Sequence, residues 1–287
     1  MATITQRESE QVERVNATGR TPVVFIHGLW LLPSSWDRWA AVFEESGYAP
    51  LAPGWPDDPE TVEQARANPD AFAGKGVVQV ADHFAEAIAR LDRKPALVGH
   101  SFGGLIALAV AMRHPEWLRS LAILEAPAIE VLRESGEDRL YGEFRTMAGA
   151  YAAAHEAGEP HAIERMIDFF GGAGTFRSWP QRVRDYAVAT TPANLLDWTC
   201  AFGFALTPAL LADVTPRTLV AWGELSHPAA RRANQLLGQH LPKATAAEIP
   251  GAAHFMIATH PKQVADMIAQ HIARTDHSGR STALLVE

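Results

Sequence analysis

The chain has 287 residues, with 25 Lys plus Arg against 33 Asp plus Glu and a formal charge of −8. Apolar residues make up 47% and charged residues 20%, which excludes fibrous, collagen-like and disordered classes. The acidic balance, with no Lys/Arg block, argues against a nucleic-acid partner. A single cysteine, Cys200, excludes an internal disulfide and a thiolate-based zinc site. The longest unbroken apolar run, residues 105–112, is far short of the roughly 20 residues that span a bilayer. Residues 1–20 are polar, without the apolar stretch of a secretory signal, and read as a loose arm. These features predict a reduced, cytoplasmic protein without a membrane partner.

In chain order, residues 22–26 form a short apolar run that predicts a buried strand, closed by His27-Gly28. Residues 48–52 predict a second strand, ended by Pro53-Gly54. Residues 54–76 are rich in Pro and Asp breakers and read as loop. Residues 78–91 have helical spacing, with Val80, Phe84, Ala87, Ile88 and Leu91 on one face. A third strand follows at 96–98, an apolar helix at 103–113 and a fourth strand at 118–124. Beyond them lie a strand at 218–222, a helix at 228–241, a strand at 246–249 and a last helix at 261–273, with Pro at its first position. This alternation predicts an α/β protein with a mostly parallel sheet covered by helices on both faces.

The alternation fails between residues 128 and 216. That segment is helical by pattern and holds 11 of the 24 aromatic residues within positions 128–210. It predicts a helical cap. The expected organisation is a polar arm at 1–20, a core at 21–127 and 217–275, a cap at 128–216 and a tail at 276–287.

Chemistry concentrates in three short segments. Gly99-His-Ser-Phe-Gly103 follows a predicted strand and opens a predicted helix, the setting of a Gly-x-Ser-x-Gly nucleophile elbow. Ser101 would sit on a strained turn, flanked by Gly99 and Gly103 because side chains there would collide. His27-Gly28-Leu29 follows the first strand. The N–H groups of Leu29 and Phe102 would converge on a substrate oxygen as an oxyanion hole. His254, in Gly251-Ala-Ala-His-Phe255 after the last strand, is the candidate general base, because a serine hydroxyl needs one at neutral pH. His27 and His100 read as structural, with His100 pointing away from the sheet's carboxyl edge. Trp30 and Phe255 are candidate pocket residues, whereas Trp36 and Trp39 read as helix packing.

Together these segments resemble the α/β-hydrolase superfamily over nearly all of residues 21–273. The resemblance implies the order Ser, acid, His. Many members carry the acid as Gly-x-x-Asp after the strand that follows the cap, but here Trp222-Gly-Glu-Leu-Ser226 has serine at the aspartate position. Other members, such as certain haloalkane dehalogenases and cofactor-free dioxygenases, place the acid before the cap. Glu125 ends the apolar fourth strand, where a charged residue needs a reason to be. It is therefore the first candidate acid, with Glu224 as the alternative. Ser101 at the elbow also argues against dehalogenase and epoxide-hydrolase chemistry, which the superfamily runs from an aspartate.

The resemblance implies a serine hydrolase of a small apolar carboxylic ester or related acyl compound, working through an acyl-enzyme without cofactor or metal. Gly171-Gly-Ala-Gly174 follows no strand and is no dinucleotide fingerprint. Perhydrolysis, lactone or thioester hydrolysis and carbon–carbon bond hydrolysis remain open on the same scaffold. So does a ligand-binding protein with a weak triad. Nothing in the sequence indicates the oligomeric state.

Overall fold

A computed structural model of the protein describes residues 4–56 and 76–283, the last eight by their backbone alone. Six parallel strands form one sheet: β1 (Pro22–Ile26), β2 (Ala49–Leu51), β3 (Ala96–His100), β4 (Ser120–Leu124), β5 (Arg217–Gly223) and β6 (Ala244–Ile249). Their spatial order is β2-β1-β3-β4-β5-β6. β1, β3 and β4 are buried at every position, as expected of strands covered on both faces.

Side chains alternate across a strand, so each strand feeds two cores. Val24, Ile26 and Leu97 pack on one face with helices α3 (Val77–Ala89) and α4 (Phe102–Arg113). Val23, Phe25 and Val98 pack on the other with α2 (Asp37–Glu45) and the apolar stripe of the last helix. Trp36 stacks on Phe25 at 4.9 Å and meets Trp39 edge-on at 5.3 Å, the packing role the sequence suggests.

The N-terminal segment corrects the expectation of a loose arm. Residues Gln6–Ala17 form helix α1, started by a capping box in which Thr5 and Glu8 satisfy each other's backbone. Val12 and Val15 are buried, and Glu8 reaches His83 of α3 at 3.0 Å. Its polar composition hid a narrow apolar stripe. The predicted loop 54–76 lies outside the described residues from 57 to 75. The final helix is also longer than expected and spans Pro261–Ala283, across the start of the predicted tail.

Between β4 and β5 the chain folds as helices α5 (Glu130–Glu134), α6 (Asp138–Glu156), α7 (Glu164–Gly171), α8 (Thr175–Ser178), α9 (Gln181–Ala189), α10 (Thr191–Phe202) and α11 (Pro208–Ala212). Its aromatic residues build a core of their own, with Phe144 against Phe169, Phe170, Trp198 and Phe202. α12 (Pro228–His240) follows β5, and α13 (Met256–Thr259) and α14 (Pro261–Ala283) follow β6. Because all the strands are parallel, the turns after β1, β3, β4, β5 and β6 meet along one sheet edge, where ligands of open α/β sheets bind.

Candidate active site

Among the described residues three non-glycine residues have positive φ, and all three lie on that edge: Trp30 (61°), Ser101 (56°) and Glu125 (44°). Such conformations persist only when the surroundings hold them, and they collect at functional sites. For Ser101 the brace is its N–H, which donates to Leu124 O at 2.9 Å. The turn is possible because its neighbours lack side chains. A Cβ on Gly99 would lie 2.2 Å from Gly103 O, and one on Gly103 would lie 2.3 Å from Ile26 O. Glu125 is held from both sides. Its N–H donates to Ala221 O at 2.7 Å, and the buried Asn234 amide bonds both backbone groups of Ala126.

Ser101, His254 and Glu125 come together from positions 129 and 153 residues apart. His254 Nε2 lies 2.9 Å from Ser101 Oγ, and His254 Nδ1 lies 2.9 Å from Glu125 Oε1. A carboxylate only accepts, so Nδ1 carries the proton and Nε2 is left to accept from the serine hydroxyl. His254 and Glu125 are 2% and 0% exposed. The second carboxylate oxygen, Oε2, accepts from Ser226 Oγ at 2.6 Å and from Gly223 N–H at 2.9 Å. Ser226, which stands where many superfamily members carry their acid, thus holds the carboxylate that sits on the neighbouring strand. Glu224 does not reach His254. It is exposed, and its carboxylate accepts from Gly251 N–H at 2.8 Å.

His100 corrects a sequence expectation. Its ring does not point away from the edge but lies 5.2 Å from the His254 ring, and its Nε2 donates to His254 O at 2.7 Å. Burial, followed by the neighbouring His254 imidazole, pushes its pKa down to about 3. It therefore stays neutral near pH 7 and pins the His254 loop. His27 braces the turn after β1, with Nδ1 2.9 Å from Gly28 O and its carbonyl accepting from Trp55 Nε1 at 3.1 Å.

Gly28 lies against Ser101, since a Cβ there would be 2.9 Å from Ser101 Cβ. Leu29, one of the two candidate oxyanion donors, is the next residue in the chain. Phe102 opens α4, so its N–H has no acceptor within the helix and carries the positive end of the helix dipole. Trp30 and Phe255 are joined through Trp179 of the insertion, at 6.4 and 5.1 Å between ring centroids. Phe170 of α7 lies 4.7 Å from the His254 ring and packs on Trp198, which in turn meets Phe102 at 6.0 Å. Sequence reasoning gave no site role to Ser226, His100 or Phe170. The serine at the vacant acid position was the one available signal.

Among the described residues no group of His, Cys, Asp and Glu could hold a metal ion, and no helix is long and apolar enough to cross a membrane.

A parallel sheet whose carboxyl edge gathers a strained serine, a histidine and a glutamate defines a hydrolase-type scaffold. The profile of the Alpha/beta hydrolase family matches residues 23–267, and the chain belongs to that family. It is 31% identical over 129 residues to the 2-hydroxymuconate semialdehyde hydrolase of Pseudomonas sp. (strain CF600), a stretch that covers 42% of each protein. The chain thus spans about two fifths of the length of that curated relative. Among solved structures, MenH from S. aureus superposes with a TM-score of 0.67 at 15% identity, covering 89% of this chain and 94% of that one. The proline iminopeptidase of Mycobacterium smegmatis gives 0.64 at 21% identity, covering 90% and 91%. The enol-lactonase from Burkholderia xenovorans LB400 gives 0.64 at 17% identity, covering 88% and 92%. At these identities the superpositions establish the fold.

Proposed function

We propose that the protein is a serine hydrolase of acyl compounds, with the helical insertion 128–216 acting as a cap over the site. The observation that carries this is the continuous chain of two 2.9 Å hydrogen bonds from Ser101 Oγ through His254 to Glu125.

Ser101 Oγ attacks the substrate carbonyl carbon while its proton passes to His254 Nε2. The imidazolium so formed faces Glu125 Oε1, whose charge stabilises it without taking the proton. The oxygen of the tetrahedral intermediate accepts from the N–H groups of Leu29 and Phe102, each contributing about 3–4 kcal/mol when such a donor is well placed. Collapse breaks the bond to the leaving group, which takes the proton from Nε2. Water then gives a proton to Nε2 and attacks the acyl carbon, and the acid departs as Ser101 regains its hydrogen. No step calls for a cofactor. Ser226 and His100 act one contact further out, as positioning residues for the glutamate and for the histidine loop.

The test is labelling of the folded protein by a fluorophosphonate, with the adduct located by mass spectrometry. Modification of Ser101, lost on heat unfolding and in His254→Ala, is the expected result. A folded protein that leaves Ser101 unmodified overturns the reading. Such an outcome would favour a ligand-binding protein on this scaffold.

A second reading, hydrolysis of a carbon–carbon bond beside a carbonyl, has its support in the partial identity to the Pseudomonas hydrolase. The same serine and oxyanion donors serve it. Turnover of 2-hydroxymuconate semialdehyde at a higher kcat/KM than any simple ester would favour it.

A further inference from the structure

Three buried hydrogen-bonding atoms on α10 have no partner among the described residues: Asn194 Nδ2, Asp197 Oδ1 and Trp198 Nε1. Their residues are 3%, 2% and 5% exposed, so bulk water does not satisfy them. Asp197 and Trp198 stand three and four residues after Asn194, so each lies beside it on the helix surface. The Asn194 amide oxygen accepts from the buried Tyr151 hydroxyl at 2.9 Å. Its Nδ2 is thereby left as a free donor. Native interiors pair nine in ten or more of their buried polar groups, so three orphans on one face call for a ligand.

The place of this face says which ligand. Trp198 stacks on Phe170 at 5.7 Å, and Phe170 lies 4.7 Å from the His254 ring, so indole and imidazole are no more than about 10 Å apart. The Trp198 ring also meets Phe102, whose N–H is the proposed oxyanion donor, at 6.0 Å. An acyl chain of medium length bound at Ser101 spans such a distance.

We infer that Asn194, Asp197 and Trp198 form a polar end to the acyl pocket, and that the substrate carries a second oxygen function, an oxo oxygen remote from the carbonyl that Ser101 attacks. The inference rests on the hydrolase reading for its direction. Asn194 and Trp198 offer N–H donors at every pH. Burial holds the Asp197 carboxyl well above the usual range. The two N–H donors ask for an acceptor oxygen. A plain aliphatic chain would leave all three groups unmet, whereas an oxo-acyl compound offers the N–H donors an acceptor.

The test uses p-nitrophenyl heptanoate beside the esters of three oxoheptanoic acids, with the ketone at the fourth, fifth or sixth carbon. One ketone position is expected to raise kcat/KM about tenfold over heptanoate, the effect of one well-made hydrogen bond of about 1.4 kcal/mol. Trp198→Phe and Asn194→Leu should each bring that ratio towards one. The ratio is internal to each protein, so partial unfolding of a variant cancels. Ratios near one at all three positions in the wild type, or unchanged in both variants, overturn the inference. Ser101→Ala protein, titrated with the corresponding methyl esters and followed by tryptophan fluorescence, reads the same preference without chemistry. A protein that a fluorophosphonate fails to label but that binds the oxo ester more tightly loses the hydrolase reading and keeps this subsite. One that labels at Ser101 and shows no preference keeps the reading and loses the subsite.

Discussion

Replacing Glu125 by glutamine keeps the volume of the side chain and removes its charge. The outcome depends on which way the amide turns. Oε2 of Glu125 accepts from two donors, Ser226 Oγ and Gly223 N–H, at 2.6 and 2.9 Å. The amide oxygen must take that side, because the NH2 group there would face two donors. The NH2 group then faces His254 Nδ1, where Glu125 Oε1 now lies 2.9 Å away. Nδ1 must accept, so the imidazole proton moves to Nε2. An Nε2–H cannot accept from the Ser101 hydroxyl, and the general base is lost while the geometry stands. A wrong-tautomer histidine of this kind costs about 10⁴-fold in kcat, which is about 5.4 kcal/mol at 1.36 kcal/mol per decade. The assay is kcat on an activated ester, with circular dichroism and a melting curve to show that the variant folds. Glu224→Gln, whose carboxylate bonds Gly251 N–H, is expected within about threefold of wild type, as for a solvated surface residue. Retention of kcat within tenfold in Glu125→Gln, with collapse in Glu224→Gln, would refute the assignment of the acid.

Ser226→Ala removes one donor from a buried carboxylate and should lower kcat about tenfold, the worth of one charge-assisted hydrogen bond, with KM for a small ester little changed. In a Glu125→Ala background, Ser226→Asp should restore part of the lost kcat, since it places a carboxylate at the position many relatives use; no recovery would argue against that equivalence. Gly103→Ala sets a Cβ 2.3 Å from Ile26 O and 2.5 Å from His27 O, so urea unfolding should show a loss of more than about 4 kcal/mol or no folded protein. Glu8 supplies a pH test of the α1 contact. Burial is the largest influence on its carboxyl and opposes ionisation, but hydrogen bonds from His83 and Thr5, with the charge of His83, together outweigh it and hold the pKa below 4.5. A carboxyl lowered on folding stabilises above its unfolded value and loses that contribution as pH falls through the folded one. The stability gap between wild type and Glu8→Gln should therefore be full above pH 4.5 and shrink below it.

The sequence by itself determined what short-range sterics and periodicity control. Continuous apolar strands alternating with helices specify a parallel sheet, because only a sheet covered on both faces buries such runs. Gly99 and Gly103 around Ser101 announce the elbow, because no side chain fits between that turn and the Ile26 carbonyl. Ser101 and His254 could be named from local setting alone. The N-terminal helix escaped notice because Val12 and Val15 make a thin stripe in a polar segment, and its value lies in docking against α3 rather than in propensity. The acid was legible as a pair of candidates, Glu125 and Glu224, since both end strands on the same edge. Tertiary structure separated them. It turned one carboxylate inward to His254 and the other outward to Gly251, a distinction that depends on residues 129 positions apart. It also gave Ser226 a partner, as a donor to the Glu125 carboxylate. Such contacts follow from how the sheet register aligns β3, β4 and β5, and no local pattern encodes that register. The partnerless face of α10 belongs to the same class, for a polar residue shows itself as unsatisfied only when its surroundings are in place.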